Sequence, residues 1–268
     1  MRPFLKWPGG KYRLSTTIRS RLLPGQRLIE PFTGSGAVFL NTNYRQYLLA
    51  DSNGDLINLY LHLVGEGEEF INRCRRLFLA KNNNEAVFYR LRNEFNKCTD
   101  SRRKSVLFLY LNRHCYNGLI RYNASGEFNT PFGRYVKPYF PDKEMRHFIG
   151  AAQNAEFLHA GFSESMGLAQ RGDMVYCDPP YAPLGRTAYF TDYHPGGFKW
   201  KHQEQLALLA RGLADRGIPV VISNHDTPEI RKLYKNSGAS TVKFQVRRSI
   251  SRDAGNRRKV GELLALFT

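Results

Sequence analysis

The 268-residue chain has only four cysteines, and Cys74, Cys98, Cys115 and Cys177 stand far apart with no CxxC pair. That spacing excludes a zinc ribbon and a thioredoxin-type redox motif, and it predicts reduced thiols in a cytoplasmic protein. Long apolar runs are missing as well. No apolar stretch follows Met1-Arg2-Pro3-Phe4 in the manner of a signal segment, and no later stretch has the length to cross a bilayer, so the reading excludes secretion and membrane spanning. The seven histidines show no HExxH or similar ligand spacing, and no metal site is expected. Neither internal repeats nor low-complexity tracts occur, which leaves one large α/β domain or one domain with an inserted module. Acid is scarce too. Twenty-three Asp and Glu face forty Lys and Arg, for a formal net charge of +17. With 42% hydrophobic residues the chain is globular rather than a disordered basic tail, and its charge asks for a polyanion: nucleic acid first, an anionic membrane surface second.

Periodicity organises what is there. Lys11 to Leu23 carries an amphipathic helical pattern ended by Pro24-Gly25, and Arg27-Leu28-Ile29-Glu30 reads as a buried strand. A glycine-rich turn follows, then Ala37 to Leu40 as the first turn of a helix, then a second strand, Tyr47 to Asp51, ending in an acid. From Asp55 to Leu119 the pattern is helical in three segments, broken at Gly65-Glu66-Gly67 and at Thr99-Asp100-Ser101, where a capping residue precedes the apolar run. Residues 121–141 have neither period. They place six aromatics among Arg121, Arg134 and Lys137 and read as a structured loop or hairpin. Strand signals resume at 156–158 and 174–177, a helix is expected from about Lys201 to Leu213, and a strand at 219–222. Thr241–Arg247 and Glu262–Phe267 read as an antiparallel hairpin closing the sheet.

Two motifs carry chemistry. Pro31-Phe32-Thr33-Gly34-Ser35-Gly36 lies between a strand and a helix, with Asp51 at the next strand's tip. Glycines there permit close approach of a nucleoside cofactor, and the acid can accept both ribose hydroxyls. NAD and S-adenosylmethionine both fit; the departure from GxGxxG, with Phe39 at the third position, favours the latter. The second motif, Asp178-Pro179-Pro180-Tyr181, directly follows a buried strand. An aryl amine such as adenine's is a poor nucleophile because its lone pair is delocalised into the ring. If the Asp178 carboxylate and the Pro179 carbonyl each accept one amine hydrogen, the nitrogen is drawn toward tetrahedral geometry and its lone pair is aimed at an incoming methyl carbon. Consecutive prolines stiffen the turn, and Tyr181 can stack on the base.

In these motifs, and in Phe4 to Lys11, Leu107 to Arg113, Tyr116 to Leu119, Arg121 to Asn123, Phe132 to Tyr135, Tyr176 to Leu184 and Ser223 to Thr227, the chain resembles the Dam-type DNA adenine-N6 methyltransferase family, whose enterobacterial members methylate adenine in GATC. The resemblance runs from Phe4 to about Phe267. It implies an α/β, Rossmann-like S-adenosylmethionine-dependent methyltransferase fold with a C-terminal antiparallel hairpin and an inserted, mainly helical target-recognition domain. Residues 1–54 and 146–268 would be catalytic and 55–145 would recognise DNA. It further implies that Trp7, Lys11, Phe32, Gly34, Ser35, Gly36, Asp51 and Asp178 bind S-adenosylmethionine, released as S-adenosylhomocysteine, and that Asp178, Pro179, Pro180 and Tyr181 hold the target adenine. Arg121 would read a guanine, which its bidentate guanidinium suits, and Lys6 would touch a flanking base. Tyr116, Asn117, Leu119, Asn123, Pro131 and Tyr135 would contact or wedge the duplex.

The chain departs from the family at Pro8 and at Thr33 and Ser35, and His114-Cys115 replaces the more usual Tyr-Gly beside the recognition segment. From Lys243 to Lys259 seven basic residues face one acid, Asp253, which suits a phosphate clamp using Arg247, Arg252 and Arg257, with Arg134 as a further DNA contact. The expected protein is a monomer acting on double-stranded DNA in the cytoplasm of a bacterial cell or phage-infected host, associated with the nucleoid and with no membrane partner. Two rival classes are an N-methyltransferase of RNA or protein amides and an inactive DNA-binding module. The Asp of the DPPY motif argues against the amide class, which as a family uses Asn there, and the intact motifs argue against inactivity.

Overall fold

The apolar runs that end at Asp51 and Cys177 are strands of one mixed sheet. The computed structural model describes residues 1–181, 198–247 and 259–268, the side chains at 246–247 and 259–260 excepted. Among them are β1 (Arg27–Glu30), β2 (Gln46–Asp51), β3 (Ala155–His159), β4 (Asp173–Cys177), β5 (Val220–His225), β6 (Ser240–Arg247) and β7 (Lys259–Phe267), in the order β3-β2-β1-β4-β5-β7-β6. β1 pairs in parallel with β2 on one side and β4 on the other, and β4 in parallel with β5. β7 then runs antiparallel between β5 and β6, the expected closing hairpin. β4 is buried at all five positions and β5 at its first five, so both read as unbroken apolar runs rather than alternations. The chain leaves β1 toward β2 but returns to β4 on the opposite side. In open α/β sheets such a reversal of strand order, at the carboxyl ends of the strands, is where ligands bind.

By its contacts the chain divides into two compact units. The first comprises residues 1–16, 33–43 and 51–159, and the second 17–32, 44–50 and 160–268. After the short α1 (Ser15–Arg19), the helices of the first unit are α2 (Gly54–Glu66), α3 (Glu68–Arg75), α4 (Glu85–Lys97), α5 (Ser101–His114) and α6 (Asp142–Ala151). α5 is buried continuously from Ser105 to His114 and is the unit's central helix. Its start is fixed by Asp100, whose carboxylate accepts the amides of Arg102 and Arg103, as the capping signal predicts. Phe4, Phe39, Tyr60 and Phe157 pack around Phe148, with ring centroids 4.7 to 6.0 Å from it. The second unit carries α7 (Phe162–Gly167), α8 (Trp200–Ala214) and α9 (Pro228–Asn236). Among the described residues no helix is long and apolar enough to cross a membrane.

Several local expectations change. The helix expected from Lys11 to Leu23 is a 3-10 turn, Lys11–Leu14, followed by five residues of α1. After the glycine turn only a 3-10 turn, Phe39–Asn41, forms in place of a helix. The three helical segments are four, because residues 76–84 leave the helix through two 3-10 turns before Asn84 caps α4 through the Val87 amide.

Candidate active site and nucleic-acid interface

In the first unit the glycine turn is held from three directions. Gly34 and Gly36 have φ of 46° and 69°, where L side chains are strained. The Gly34 amide donates to Asp51 Oδ2 at 3.0 Å and the Asn53 amide to Oδ1 at 2.9 Å, so one carboxylate ties the turn to the end of β2. Tyr60 of α2 donates its hydroxyl to the Gly34 carbonyl at 2.5 Å. The Trp7 indole lies against the Gly34 α-carbon: a Cβ there would stand 2.8 Å from Trp7 Nε1. Ser35 is buried near Gly10, and buried Lys11 donates from Nζ to the Gly9 carbonyl at 2.8 Å. Burial pushes the Asp51 carboxyl above its ordinary range, while the Asn53 and Gly34 amides pull the other way. Each carboxylate oxygen has two acceptor directions, so these two amides do not exhaust the group. Trp7, Gly34, Ser35, Gly36 and Asp51 therefore form one cradle, with Lys11 at its N-terminal segment.

The same unit carries the proposed recognition residues. The Lys6 amide donates to Asn112 Oδ1 (2.9 Å), and Asn112 Nδ2 donates to the carbonyls of Lys6 (2.8 Å) and Gly118 (3.2 Å). Gly118, at φ 67°, packs directly on the Lys6 stem. Lys6 Nζ donates to the Arg113 carbonyl at 3.3 Å and lies 3.6 Å from the Tyr135 ring centre; burial, then the Arg113 charge, lowers its pKa to about 8. The exposed Tyr116 and Asn117 are pinned through their backbone. Tyr116 donates its amide to the Pro131 carbonyl and Asn117, at φ 53°, donates to the Tyr135 hydroxyl, both at 2.9 Å. The Leu119 carbonyl accepts from Thr130 Oγ1 at 2.7 Å. Lys6, Tyr116, Asn117, Leu119, Pro131 and Tyr135 thus belong to one connected network.

Arg121 is exposed on an adjoining hairpin, where its Nε donates to Asn129 Oδ1 at 2.7 Å and Nη2 to the Asn129 carbonyl at 3.3 Å. Asn123 Oδ1 closes the hairpin tip by accepting the amides of Ser125 and Glu127. Arg134, exposed at φ 53°, faces Glu85 at 3.4 Å. His114 and Cys115 are both buried. His114 stacks on Tyr110, bonds to its carbonyl and, through burial, has a pKa lowered to about 4, so the departure from Tyr-Gly falls in the core. Arg252 and Arg257 lie outside the described residues, as does the Arg247 side chain.

In the second unit, Asp178-Pro179-Pro180-Tyr181 leaves the carboxyl end of β4, beside the end of β1. Asp178 is half-buried, Pro179 buried and Pro180 exposed. Tyr181 donates its hydroxyl to Glu262 Oε2 at 3.1 Å and meets the His225 ring edge-on at 4.7 Å. Burial, then the Asp178 and Glu262 carboxylates, pushes that hydroxyl far up, which keeps it a neutral donor. Gln203 of α8 donates from Nε2 to the Pro180 carbonyl at 3.0 Å. Phe32 stacks on Phe162 at 5.6 Å and meets Phe198 edge-on at 5.7 Å. Among the described residues no group of three His, Cys, Asp or Glu is placed to hold a metal ion.

Sequence reading alone passes over Tyr60, Asn112, Phe162, Phe198, Gln203 and Glu262. For Gln203 a signal exists: it is a polar residue on the apolar face of a predicted helix, and buried polar side chains are the informative exceptions to ordinary burial.

Residues 7–250 match the family of D12 class N6 adenine-specific DNA methyltransferases. The DNA adenine methylase of Escherichia coli (strain K12) is 53% identical over 266 residues, covering 99% of this chain and 95% of that one. The DNA adenine methylase of Serratia marcescens is 52% identical over 267 residues, covering 99% and 98% respectively. That of Vibrio cholerae (strain ATCC 39541) is 48% identical over 268 residues, covering 100% and 96%. Matches of this extent over a DPPY turn at the reversal of a parallel sheet mean that the chain belongs to the D12 class of N6 adenine-specific DNA methyltransferases.

Proposed function

We propose that the chain methylates the N6 amine of adenine in duplex GATC, acting as a monomer on a base extruded from the stack. The observation that carries this reading is the Asp178-Pro179-Pro180-Tyr181 turn at the carboxyl end of β4, beside the reversal in strand order, in a chain of the adenine-specific family. S-adenosylmethionine, when bound, supplies a methyl group already activated by its sulfonium centre and leaves as S-adenosylhomocysteine. The cradle's chemistry suits it: Asp51 has acceptor capacity for ribose hydroxyls, and the Trp7 indole against Gly34 offers a flat apolar wall. Lys11, Phe32, Ser35, Gly36 and Asp178 complete that set.

Asp178 and the Pro179 carbonyl each accept one amine hydrogen and so localise the lone pair, while Tyr181, its ring held by Glu262 and His225, stacks on the base. Extrusion costs a few kcal/mol. Phosphate contacts from Arg134, Arg247, Arg252 and Arg257 offset it. Arg121 and Lys6 read bases; Tyr116, Asn117, Leu119, Asn123, Pro131 and Tyr135 line or wedge the opened duplex. In functional terms 55–145 is the target-recognition domain and 1–54 with 146–268 the catalytic one. The test is incubation with methyl-labelled cofactor and unmethylated duplexes that contain or lack GATC, with RNA in parallel. Label confined to adenine in GATC duplexes is expected; label in no DNA, or in RNA alone, overturns the proposal.

A further inference from the structure

The DPPY turn cannot tie itself down. Pro179 and Pro180 have no backbone N–H, so the turn has no donor of its own at the two positions where its direction is set. Its carbonyls are its handles. Asp178 and Pro179 each precede a proline, which keeps both out of the α region. The Pro180 ring locks its own φ, so between the Pro179 and Pro180 carbonyls one backbone rotation, the ψ of Pro180, is left. Holding the Pro180 carbonyl therefore narrows where the Pro179 carbonyl can point.

A buried relay fixes it. Gln203 Nε2 donates to the Pro180 carbonyl at 3.0 Å. Gln203 Oε1 in turn accepts from Asn224 Nδ2 at 3.0 Å, and that same nitrogen lies 3.0 Å from the Tyr234 hydroxyl of α9. Asn224 Oδ1 accepts the His225 amide at 2.9 Å, which sets the orientation of the Asn224 amide and, through it, that of Gln203. Gln203 is 1% exposed and Asn224 and Tyr234 are fully buried, so no water competes for the bonds among these three, while the bond to exposed Pro180 is part-buried. Helix α8, strand β5 and helix α9 converge on one carbonyl.

We propose that Gln203, oriented by Asn224 and Tyr234, is a positioning residue for methyl transfer: it holds the Pro180 carbonyl so that the neighbouring Pro179 carbonyl stays aimed at the target amine. This rests on the reading that Asp178 and the Pro179 carbonyl bind that amine. Gln203→Met keeps the length and volume of the side chain but removes the donor. Its single-turnover transfer rate falls about 10- to 100-fold, the range expected for sub-ångström to ångström misplacement of a reacting group. Its affinities for GATC duplex and for cofactor stay within about twofold, because the turn still presents its stacking ring and carboxylate.

Gln203→Glu supplies a signature that loss of packing does not. A protonated glutamic acid can donate to the Pro180 carbonyl and accept from Asn224, whereas the carboxylate can only accept. The transfer rate of Gln203→Glu relative to the parent therefore rises as pH falls and drops as the acid ionises, and the ratio for Gln203→Met shows no such step. Met-variant turnover within twofold of the parent, or a flat Glu-to-parent ratio across pH, overturns the inference. Asp178→Ala is measured alongside. If it keeps turnover within tenfold of the parent, the reading of the turn as the amine site fails; if it is inactive while Gln203→Met is unimpaired, the relay alone fails.

Discussion

Replacing Gly34 with alanine tests the proposed cofactor cradle apart from the rest of its unit. The backbone there sits at φ 46°, and a left-handed alanine costs roughly 1–2 kcal/mol. The added Cβ would stand 2.8 Å from Trp7 Nε1, 3.2 Å from Cε2 and 3.3 Å from Cδ1. Favourable carbon contacts begin near about 3.5 Å, so the indole must withdraw by about 0.7 Å. A gap of that size forfeits roughly a quarter to a half of each dispersion contact on the face that moves. Cofactor affinity should fall about tenfold or more, equivalent to ~1.4 kcal/mol. Gly126→Ala is the control, since Gly126 has φ 74° with nothing within 4 Å of its would-be Cβ. It carries the backbone strain without the collision, and should lose about 1–2 kcal/mol of stability with unchanged cofactor binding. Titration calorimetry with S-adenosylmethionine, read beside urea unfolding of both variants, separates the two effects. If Gly34→Ala binds the cofactor within twofold of the parent, or if Gly126→Ala weakens binding as much, the indole on Gly34 is not part of the cradle.

Three further outcomes are expected. Arg121→Ala should cost about 1–3 kcal/mol of discrimination at one base pair, and an unchanged methylation profile over substituted GATC sites would remove it from base reading. Lys6 has a folded pKa of about 8 against 10.5 for the free side chain, so between the two the unfolded chain binds more protons and stability rises with pH. Across the same window Lys6 loses the charge proposed to contact DNA, so duplex affinity should fall; Lys6→Arg should flatten both trends, checked by urea unfolding and duplex titrations from about pH 7 to about pH 10. If about six phosphates are engaged, log K against log salt should slope at roughly −5, and replacing Arg252 and Arg257 together with alanine should make it shallower by about 2; an unchanged slope would remove Arg252 and Arg257 from the interface.

The strands and the central helix were legible because each carries its own signal. β1, β2, β4 and β5 are apolar runs bounded by turn residues, and α5 begins at a capping aspartate. The elements overlooked are those whose burial is narrow. α6 buries Met145 and Phe148 and little else, and α9 buries Ile230 and Tyr234, one pair at i, i+4. For α9 a start signal was there to read: Thr227 caps the helix through the Ile230 amide and Pro228 occupies its first position. Ala37 to Leu40 misled in the opposite sense. Its run of buried apolar residues continues the aromatic core around Phe39 and Phe148 rather than one face of a helix, so burial there does not imply helical period.

The site itself was legible as a set of segments but not as a set of supports, and the reason is physical. Each chemistry-bearing segment is irregular backbone, whose amides and carbonyls have no ladder or helix to join and must find side chains. Gly34 finds Asp51 17 residues away and Tyr60 26 residues away. Lys6 finds Asn112 106 residues away, and that one amide side chain also holds Gly118. Pro180 finds Gln203 across 23 residues. Asp51 is announced by its place at the tip of β2 and Gln203 by lying on an apolar helix face, but Tyr60 and Asn112 look in sequence like any other polar residue on such a face. Yet leaving such a buried group unmatched costs about 1–3 kcal/mol, more than a typical hydrogen bond contributes when made. Stiffness in both units is therefore supplied from a distance, through single amide or hydroxyl groups aimed at the backbone of the turns that carry the chemistry. Substitutions at Asn112, Gln203 and Asn224, which reach the proposed ligands only through backbone, should accordingly alter rate and base discrimination more than affinity.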